Sequence, residues 1–200
     1  MPLFPFFMNI EGATGLIVGT GKHAQEKIQR LEPFGPKLRV ISEGEFSEND
    51  LEEIPAFVTV AGVDKEENHR IANLCREKRI PVNVVDDQEY CDFVFPSYIA
   101  QGNLSIGICT NGASPAAGVL LKRKILEQVP DNMEEILNFL HEKRPVIAKT
   151  LTNRKQRYKF YYELSEICMR KNRPLTEDEF RRQLQWHVQS AKKNLQESKD

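Results

Sequence analysis

No stretch of this chain approaches the roughly 18 consecutive apolar residues that a membrane-spanning helix needs, so no membrane partner is expected. Residues 1–10, MPLFPFFMNI, are apolar, but they lack a basic n-region, carry two prolines and offer no small-residue cleavage site. That argues against a secretory leader. Cysteine is sparse: Cys75, Cys91, Cys109 and Cys168 are widely spaced and form no C-x-x-C pair. This excludes the common zinc and iron–sulfur ligand patterns and predicts reduced thiols in a cytoplasmic protein, most of them small core residues. No His/Cys/Glu cluster has metal-ligand spacing, so no resident metal is expected. Repeats and low-complexity segments are also missing.

What remains is a chain of 200 residues, 40% hydrophobic and 28% charged, the composition of one medium globular domain or two small ones. Its formal net charge of −1 conceals an uneven distribution. Residues 1–112 balance to −7, and residues 113–200 balance to +6. Such asymmetry predicts two regions and gives the second an affinity for anions, with an ordinary solvated helical surface as the plain alternative.

Short apolar runs alternate with helical patterns through the first half: GLIVG (15–19), KLRVIS (37–42), AFVTVAG (56–62), IPVNVVDD (80–87) and LSIGICT (104–110). Between them, Ala24, Ile28 and Leu31 recur at helical spacing, and residues 64–79 read as a second helix capped by Asp64. This alternation predicts βαβ units, a parallel sheet covered on both faces and a doubly wound topology. After residue 112 only helices are expected. Ser114 followed by Pro115 is a helix start, further helices are read at 132–144, 154–170 and 176–195, and Thr176 with Glu179 makes a capping box.

Gly19-Thr20-Gly21-Lys22-His23-Ala24 is a G-x-G-x-x-A turn between the first strand and the first helix. Gly19 permits the tight turn, Gly21 lets a pyrophosphate approach the backbone, and Ala24 lets the helix pack closely. No Asp stands at the tip of the second strand; Glu43 is the nearest acid able to hold a ribose hydroxyl, which favours NAD over NADP.

Three ordered motifs, GLIVGTGKHAQEK (15–27), NVVDDQEYCDFVFP (83–96) and SIGICTNGASPAAGVLLKRKI (105–125), resemble the precorrin-2 dehydrogenase / sirohydrochlorin ferrochelatase family, whose members are similar to the N-terminal part of siroheme synthase. The resemblance implies an α/β fold: an NAD-binding, Rossmann-like domain over residues 1–112, a dimerisation segment over 113–150 and a C-terminal helical domain over 151–200, in a homodimer. It implies oxidation of precorrin-2, a tetrapyrrole, to sirohydrochlorin with NAD, and in some members insertion of ferrous iron as well. Carried across by position, the catalytic aspartate is Asp86, and the substrate-proximal hydroxyl is Thr110. Lys22, His23, Glu43 and Gly44 join Gly19 and Gly21 at the cofactor. The chain departs from the family pattern at Thr20, at Asn111 and at VAGVD (60–64).

On this reading Asp86 ends a strand at the ligand-binding edge of the sheet, partly buried beside the apolar residues of CDFVFP, where desolvation makes a carboxylate a usable base. Asp87 reads as a turn residue whose replacement by Asn should cost little. CDFVFP is expected to wall the macrocycle, with plain core as the alternative for Tyr90 and Phe93. The substrate carries eight carboxylates, which gives purpose to Ser114 at a helix N-terminus and to Lys122, Arg123, Lys124, Arg154, Lys155 and Arg157. A different class of function is a regulatory NAD-binding module, which would have no need of Asp86. A nucleic-acid role is disfavoured, because the aromatics of RYKFYY fall at helical core spacing.

Overall fold

The computed structural model describes residues 3–42, 44–62 and 64–197, with side chains described through residue 190. The chain divides into two compact units, Met1–Phe95 and Pro96–Asp200.

In the first unit, β1 (Thr14–Val18), β2 (Lys37–Ile41), β3 (Phe57–Val60) and β4 (Val82–Val84) form one parallel sheet in the order β2-β1-β3-β4. Helices α1 (Lys22–Leu31) and α2 (Lys65–Glu77) make the crossovers. The central strands β1 and β3 are mostly apolar because both of their faces are covered, with buried Thr59 the polar exception in β3. Leu16, Val18, Val58, Val60, Val82 and Val84 pack with Ile71, Ala72 and Cys75 of α2. Ile17, Phe57 and Ala61 pack with Ala24 and Leu31 of α1. Each such branched aliphatic, fully buried, stabilises the fold by about 1.5–3 kcal/mol.

β4 is an edge strand, and an unpaired edge is a liability. Residues 91–93 cover it. Asp92 donates its backbone N–H to Val82 O at 2.7 Å and accepts from Val82 N at 3.2 Å through Oδ2. Cys91 Sγ receives Val84 N at 3.2 Å and donates to Val84 O at 3.1 Å. Phe93 and Phe95 turn in toward Phe57 and the α1 side of the sheet. Cys91, Asp92, Phe93 and Phe95 therefore close a sheet edge and its core in this unit. Cys75 and Cys168 are buried, Cys91 is half-buried and Cys109 is exposed; all four are free thiols, so half rather than most are core residues.

In the second unit, residues 104–108 are a strand as expected, but not in the parallel sheet. β5 (Ser97–Gln101) and β6 (Leu104–Ile108) form an antiparallel hairpin of their own, with Ile99 opposite Ile106. Four helices follow: α3 (Pro115–Leu126), α4 (Met133–Thr150), α5 (Arg154–Lys171) and α6 (Glu177–Glu197). Helix α4 runs through Pro145, beyond the stop expected at residue 144. Proline removes one helical N–H, yet the next turn buries Ile147 completely in the core built by Ile136, Phe160, Leu164 and Phe180, and that burial carries the helix on. Among the described residues no helix is long and apolar enough to cross a membrane.

The start of α6 shows how charge fixes this unit. Glu179 N donates to Thr176 Oγ1 at 3.3 Å and Thr176 N to Glu179 Oε2 at 2.9 Å, the expected capping box. Arg173 adds two bonds to the same carboxylate at 2.8 and 2.9 Å, and Lys171 Nζ lies at 2.9 Å. Arg173 first, then Lys171 and the Thr176 N–H, hold the Glu179 carboxyl far below the usual carboxylate range. A depressed folded-state pKa contributes stability that is present above the unfolded value, near 4.5, and lost as pH falls below it. Wild-type melting temperature should therefore fall more steeply below about pH 4.5 than that of Glu179→Gln. Parallel curves would show that the network adds nothing.

Candidate functional site

In a parallel sheet every strand ends on the same edge, so the segments following β1, β2, β3 and β4 share one rim of the first unit. In the order β2-β1-β3-β4 the chain goes from β1 to one neighbour and then crosses to the other. The switch point lies between β1 and β3, where open α/β sheets place their ligands.

Gly19 occupies that point. Its φ is +118°, and a Cβ there would come within 2.7 Å of Ala61 O on the neighbouring strand end, so only glycine fits. Its N–H bonds Ile41 O at 2.8 Å, which ties the turn to β2. Gly21 is different: its backbone is ordinary, and a Cβ on it would meet nothing within 4 Å. It opens α1, and no side chain caps that helix. By contrast Asp64 caps α2, accepting from Glu66 N and Glu67 N, and Asn153 caps α5. An uncapped helix N-terminus facing open space is suited to a phosphate group. A dinucleotide's pyrophosphate therefore fits the residues present here.

Lys22 and His23 stand in the first turn of α1, both exposed and both beside Glu26, at 3.9 and 3.7 Å. Gly44 follows β2 in left-handed backbone, φ +81°, with open space around it. Glu43 lies outside the described residues. Arg39, in the middle of β2, is committed to Asp50, with Nη1 to Oδ1 at 3.1 Å and Nη2 to the Asp50 carbonyl.

Asp86 follows β4 by two residues and adopts left-handed backbone, φ +60°. It is exposed, not partly buried as expected. Of the apolar neighbours assigned to desolvate it, Phe93 and Phe95 face the α1-side core instead. On α1, half-buried Lys27 lies with Nζ 4.7 Å from the centre of the Phe95 ring. Burial first and Arg30 second push the Lys27 ammonium below its ordinary pKa, against an opposing pull from the Asp86 charge.

Asp87 does more than turn the chain. Its Oδ2 lies 2.7 Å from His69 Nε2 and 3.7 Å from Lys65 Nζ. The bond to His69 first, helped by Lys65, holds its carboxyl below the usual range. His69 in turn stacks on Tyr90. Sequence reasoning missed His69, one of only four histidines. The available signal was its spacing, one helical turn beyond Lys65 on α2, the helix that packs against β4.

Thr110 and Ser114 lie in the second unit, at the turn into α3. Ser114 N donates to Thr110 Oγ1 at 3.3 Å, and Thr110 Oγ1 donates to Ser114 O at 3.1 Å. Ser114 Oγ accepts from Ala117 N at 3.1 Å, so its hydroxyl caps the helix. Among the basic residues, Arg157 is committed to the carbonyls of Leu151 and Thr152 at the end of α4, at 2.9 and 2.8 Å. Lys122 lies near the Tyr98 ring. Arg123, Lys124, Arg154 and Lys155 are exposed. Among the described residues no group of three or more His, Cys, Asp or Glu could hold a metal ion.

Residues 6–97 match the family model described as "Putative NAD(P)-binding". The chain is similar to the siroheme synthase of Neisseria meningitidis serogroup C strain 053442, 30% identical over 179 aligned residues that cover 80% of this chain and 37% of the relative. It is also similar to the siroheme synthase of Neisseria meningitidis serogroup B strain MC58, 28% identical over 98% of this chain and 44% of the relative. The chain thus spans less than half the length of these curated relatives. Among solved structures, SirC, a precorrin-2 dehydrogenase, matches with a TM-score of 0.63 and 20% identity, covering 94% of this chain and all of that one. At that identity the match shows a shared fold.

Proposed function

Because this chain belongs to the family that forms the N-terminal part of siroheme synthase, we propose that it dehydrogenates precorrin-2 to sirohydrochlorin, with NAD as the hydride acceptor. The observation that carries the proposal is the rim of the first sheet, where an uncapped helix N-terminus and a carboxylate, Asp86, stand on the same edge. The first turn of α1 holds the cofactor pyrophosphate against the backbone at Gly19 and Gly21, with Lys22 and His23 at its flank and Gly44 beside the ribose. The residues after β2, Ser42-Glu43-Gly44-Glu45, include two acids and no base, and Arg39 is engaged by Asp50. This favours a free ribose hydroxyl, hence NAD over NADP.

NAD, when bound, supplies the hydride acceptor. The chain's own part is to take the accompanying proton, and Asp86 is the group we assign to that step. Its exposure means that desolvation has to come from the substrate seated over it rather than from the protein walls. Thr110 and Ser114 are assigned to the substrate, together with exposed Arg123, Lys124, Arg154 and Lys155 for its carboxylates. Iron insertion would use the same product at the same site. One assay separates the readings: the purified chain with precorrin-2 and NAD, followed by sirohydrochlorin absorbance, with and without ferrous ion. Turnover requiring NAD is the expected result. Stabilisation by NAD with no turnover would replace the enzyme by a regulatory nucleotide-binding module.

We assign dimerisation to residues 113–150. Val119, Leu120, Leu121 and Leu126 of α3 are between 44% and 64% exposed, an apolar density unusual on a free helix. Light scattering at micromolar concentration should give twice the chain mass, 46 kDa against the 23.0 kDa of one chain. A mass near that of one chain would refute the assignment.

A further inference from the structure

Helix α2 meets the segment after β4 with two side chains seven residues apart, on one face two turns from each other. His69 Nε2 bonds Asp87 Oδ2 at 2.7 Å, and its ring lies parallel to Tyr90, with centroids 3.6 Å apart and planes within 6°. Arg76 donates through Nη2 to Glu89 O and through Nε to Asp92 Oδ1, both at 3.2 Å, and its guanidinium sits 5.5 Å from the Tyr90 ring. The loop is thus gripped at Asp87, Glu89, Tyr90 and Asp92. The backbone bonds inside it are long: Asp87 N to Val84 O is 3.3 Å and Tyr90 N to Asp87 O is 3.2 Å. They hold the turn weakly by comparison with the His69 contact.

Asp86 immediately precedes this grip, in a left-handed conformation that a non-glycine residue keeps only when its surroundings over-determine it. The next residue is the one α2 seizes, and the His69–Asp87 pair is mostly shielded from water, with side chains 24% and 19% exposed. A partly shielded, charge-assisted bond backed by a stacked ring is a stiffer anchor than a surface ion pair.

We infer that His69 is a positioning residue: through Asp87, and braced by Tyr90, it fixes the loop that presents the Asp86 carboxylate at the rim of the sheet. This rests on the reading of Asp86 as the proton acceptor. His69 takes no proton from substrate and touches no cofactor; it sets where Asp86 stands.

The test is a cycle of variants in the full chain, His69→Leu, Asp87→Ala and the pair together, assayed with precorrin-2 and NAD. Each single variant should lower kcat roughly 10- to 100-fold, the size of effect that a displaced reacting group produces, while KM for NAD and stabilisation by NAD stay unchanged. The double variant should be no worse than the poorer single one, because both changes sever the His69–Asp87 contact. His69→Gln, which can still donate to Asp87, should recover most of the rate. Amide exchange should rise within residues 85–91 and not elsewhere. Should His69→Leu fail to fold, Asp87→Ala cuts the same contact from the exposed loop and carries the test alone. Full kcat in a folded Asp87→Ala, or additive losses in the double variant, would overturn the inference. If Asp86→Asn is inactive while those results hold, the reading of Asp86 survives without it. If Asp86→Asn is fully active, both fall.

Discussion

Asp86→Asn is expected to fold, to be stabilised by NAD as the parent chain is, and to oxidise precorrin-2 roughly 10²–10⁴-fold more slowly, the range seen when a general base is removed. Asparagine is the informative replacement for a reason that lies in the backbone. Residue 86 has φ +60°, a region that Asn visits at least as readily as Asp, whereas Ala pays about 1–2 kcal/mol there. Loss of rate in Asp86→Ala could then come from a shifted loop, while loss in Asp86→Asn isolates the carboxylate. The Asp86→Asn variant keeps the shape and a hydrogen-bonding oxygen and removes only charge and basicity. The neighbouring Asp87→Asn cannot serve as the silent control that its turn-like sequence suggests, because His69 and Lys65 hold that carboxylate. Glu89→Gln can: its side chain is exposed in the same loop, and its anchoring role belongs to the backbone carbonyl. A folded Asp86→Asn variant that forms sirohydrochlorin at the parent rate would remove Asp86 from the chemistry and leave the cofactor turn untouched.

The same loop shows where sequence reasoning runs out. The strands of the first unit are legible because short, mostly apolar runs alternate with helical patterns, and the glycine turn is legible because its spacing is local. Leu104-Ser105-Ile106-Gly107-Ile108 carries a different signature, an alternation of apolar and small or polar residues that belongs to a half-buried antiparallel strand. Read with Gly102-Asn103 before it, a two-residue hairpin turn, it points to the pairing with Ser97–Gln101 that the structure has. That signal was present and was outweighed by the regular β–α alternation preceding it. The contact between His69 and Asp87 is of another kind. Eighteen residues separate them, and only the docking of α2 against β4 brings the two together. Helical spacing puts Lys65 and His69 on one face of α2, but it does not say which loop that face meets. The exposure of Asp86 is likewise decided at a distance, by Phe57 drawing Phe93, with Phe95 beside it, into the core below.

The two glycines of the first turn should fail in different ways, and the difference tests the cofactor site itself. Gly19→Ala puts a Cβ 2.7 Å from Ala61 O in a backbone conformation that L residues rarely adopt, so it should lower the melting temperature whether or not NAD is present. Gly21→Val meets no protein atom within 4 Å at its Cβ and sits at φ −69°, ψ −176°, which a β-branched residue accepts. Its fold should therefore melt close to wild type. What the valine would fill is the open space before the uncapped start of α1, where the pyrophosphate has to approach the backbone. A ligand at a hundred times its Kd stabilises the native state by about 2.7 kcal/mol, a shift of several degrees for a unit of this size. Wild type should show that shift with NAD, and Gly21→Val should show none. NADP at the same concentration should stabilise wild type less, because the segment after β2 offers acids and no base, and Arg39 within β2 is already bound to Asp50. A Gly21→Val variant that melts like wild type and still gains the full shift would move the dinucleotide away from this turn, and with it the reason for placing the reacting carbon near Asp86.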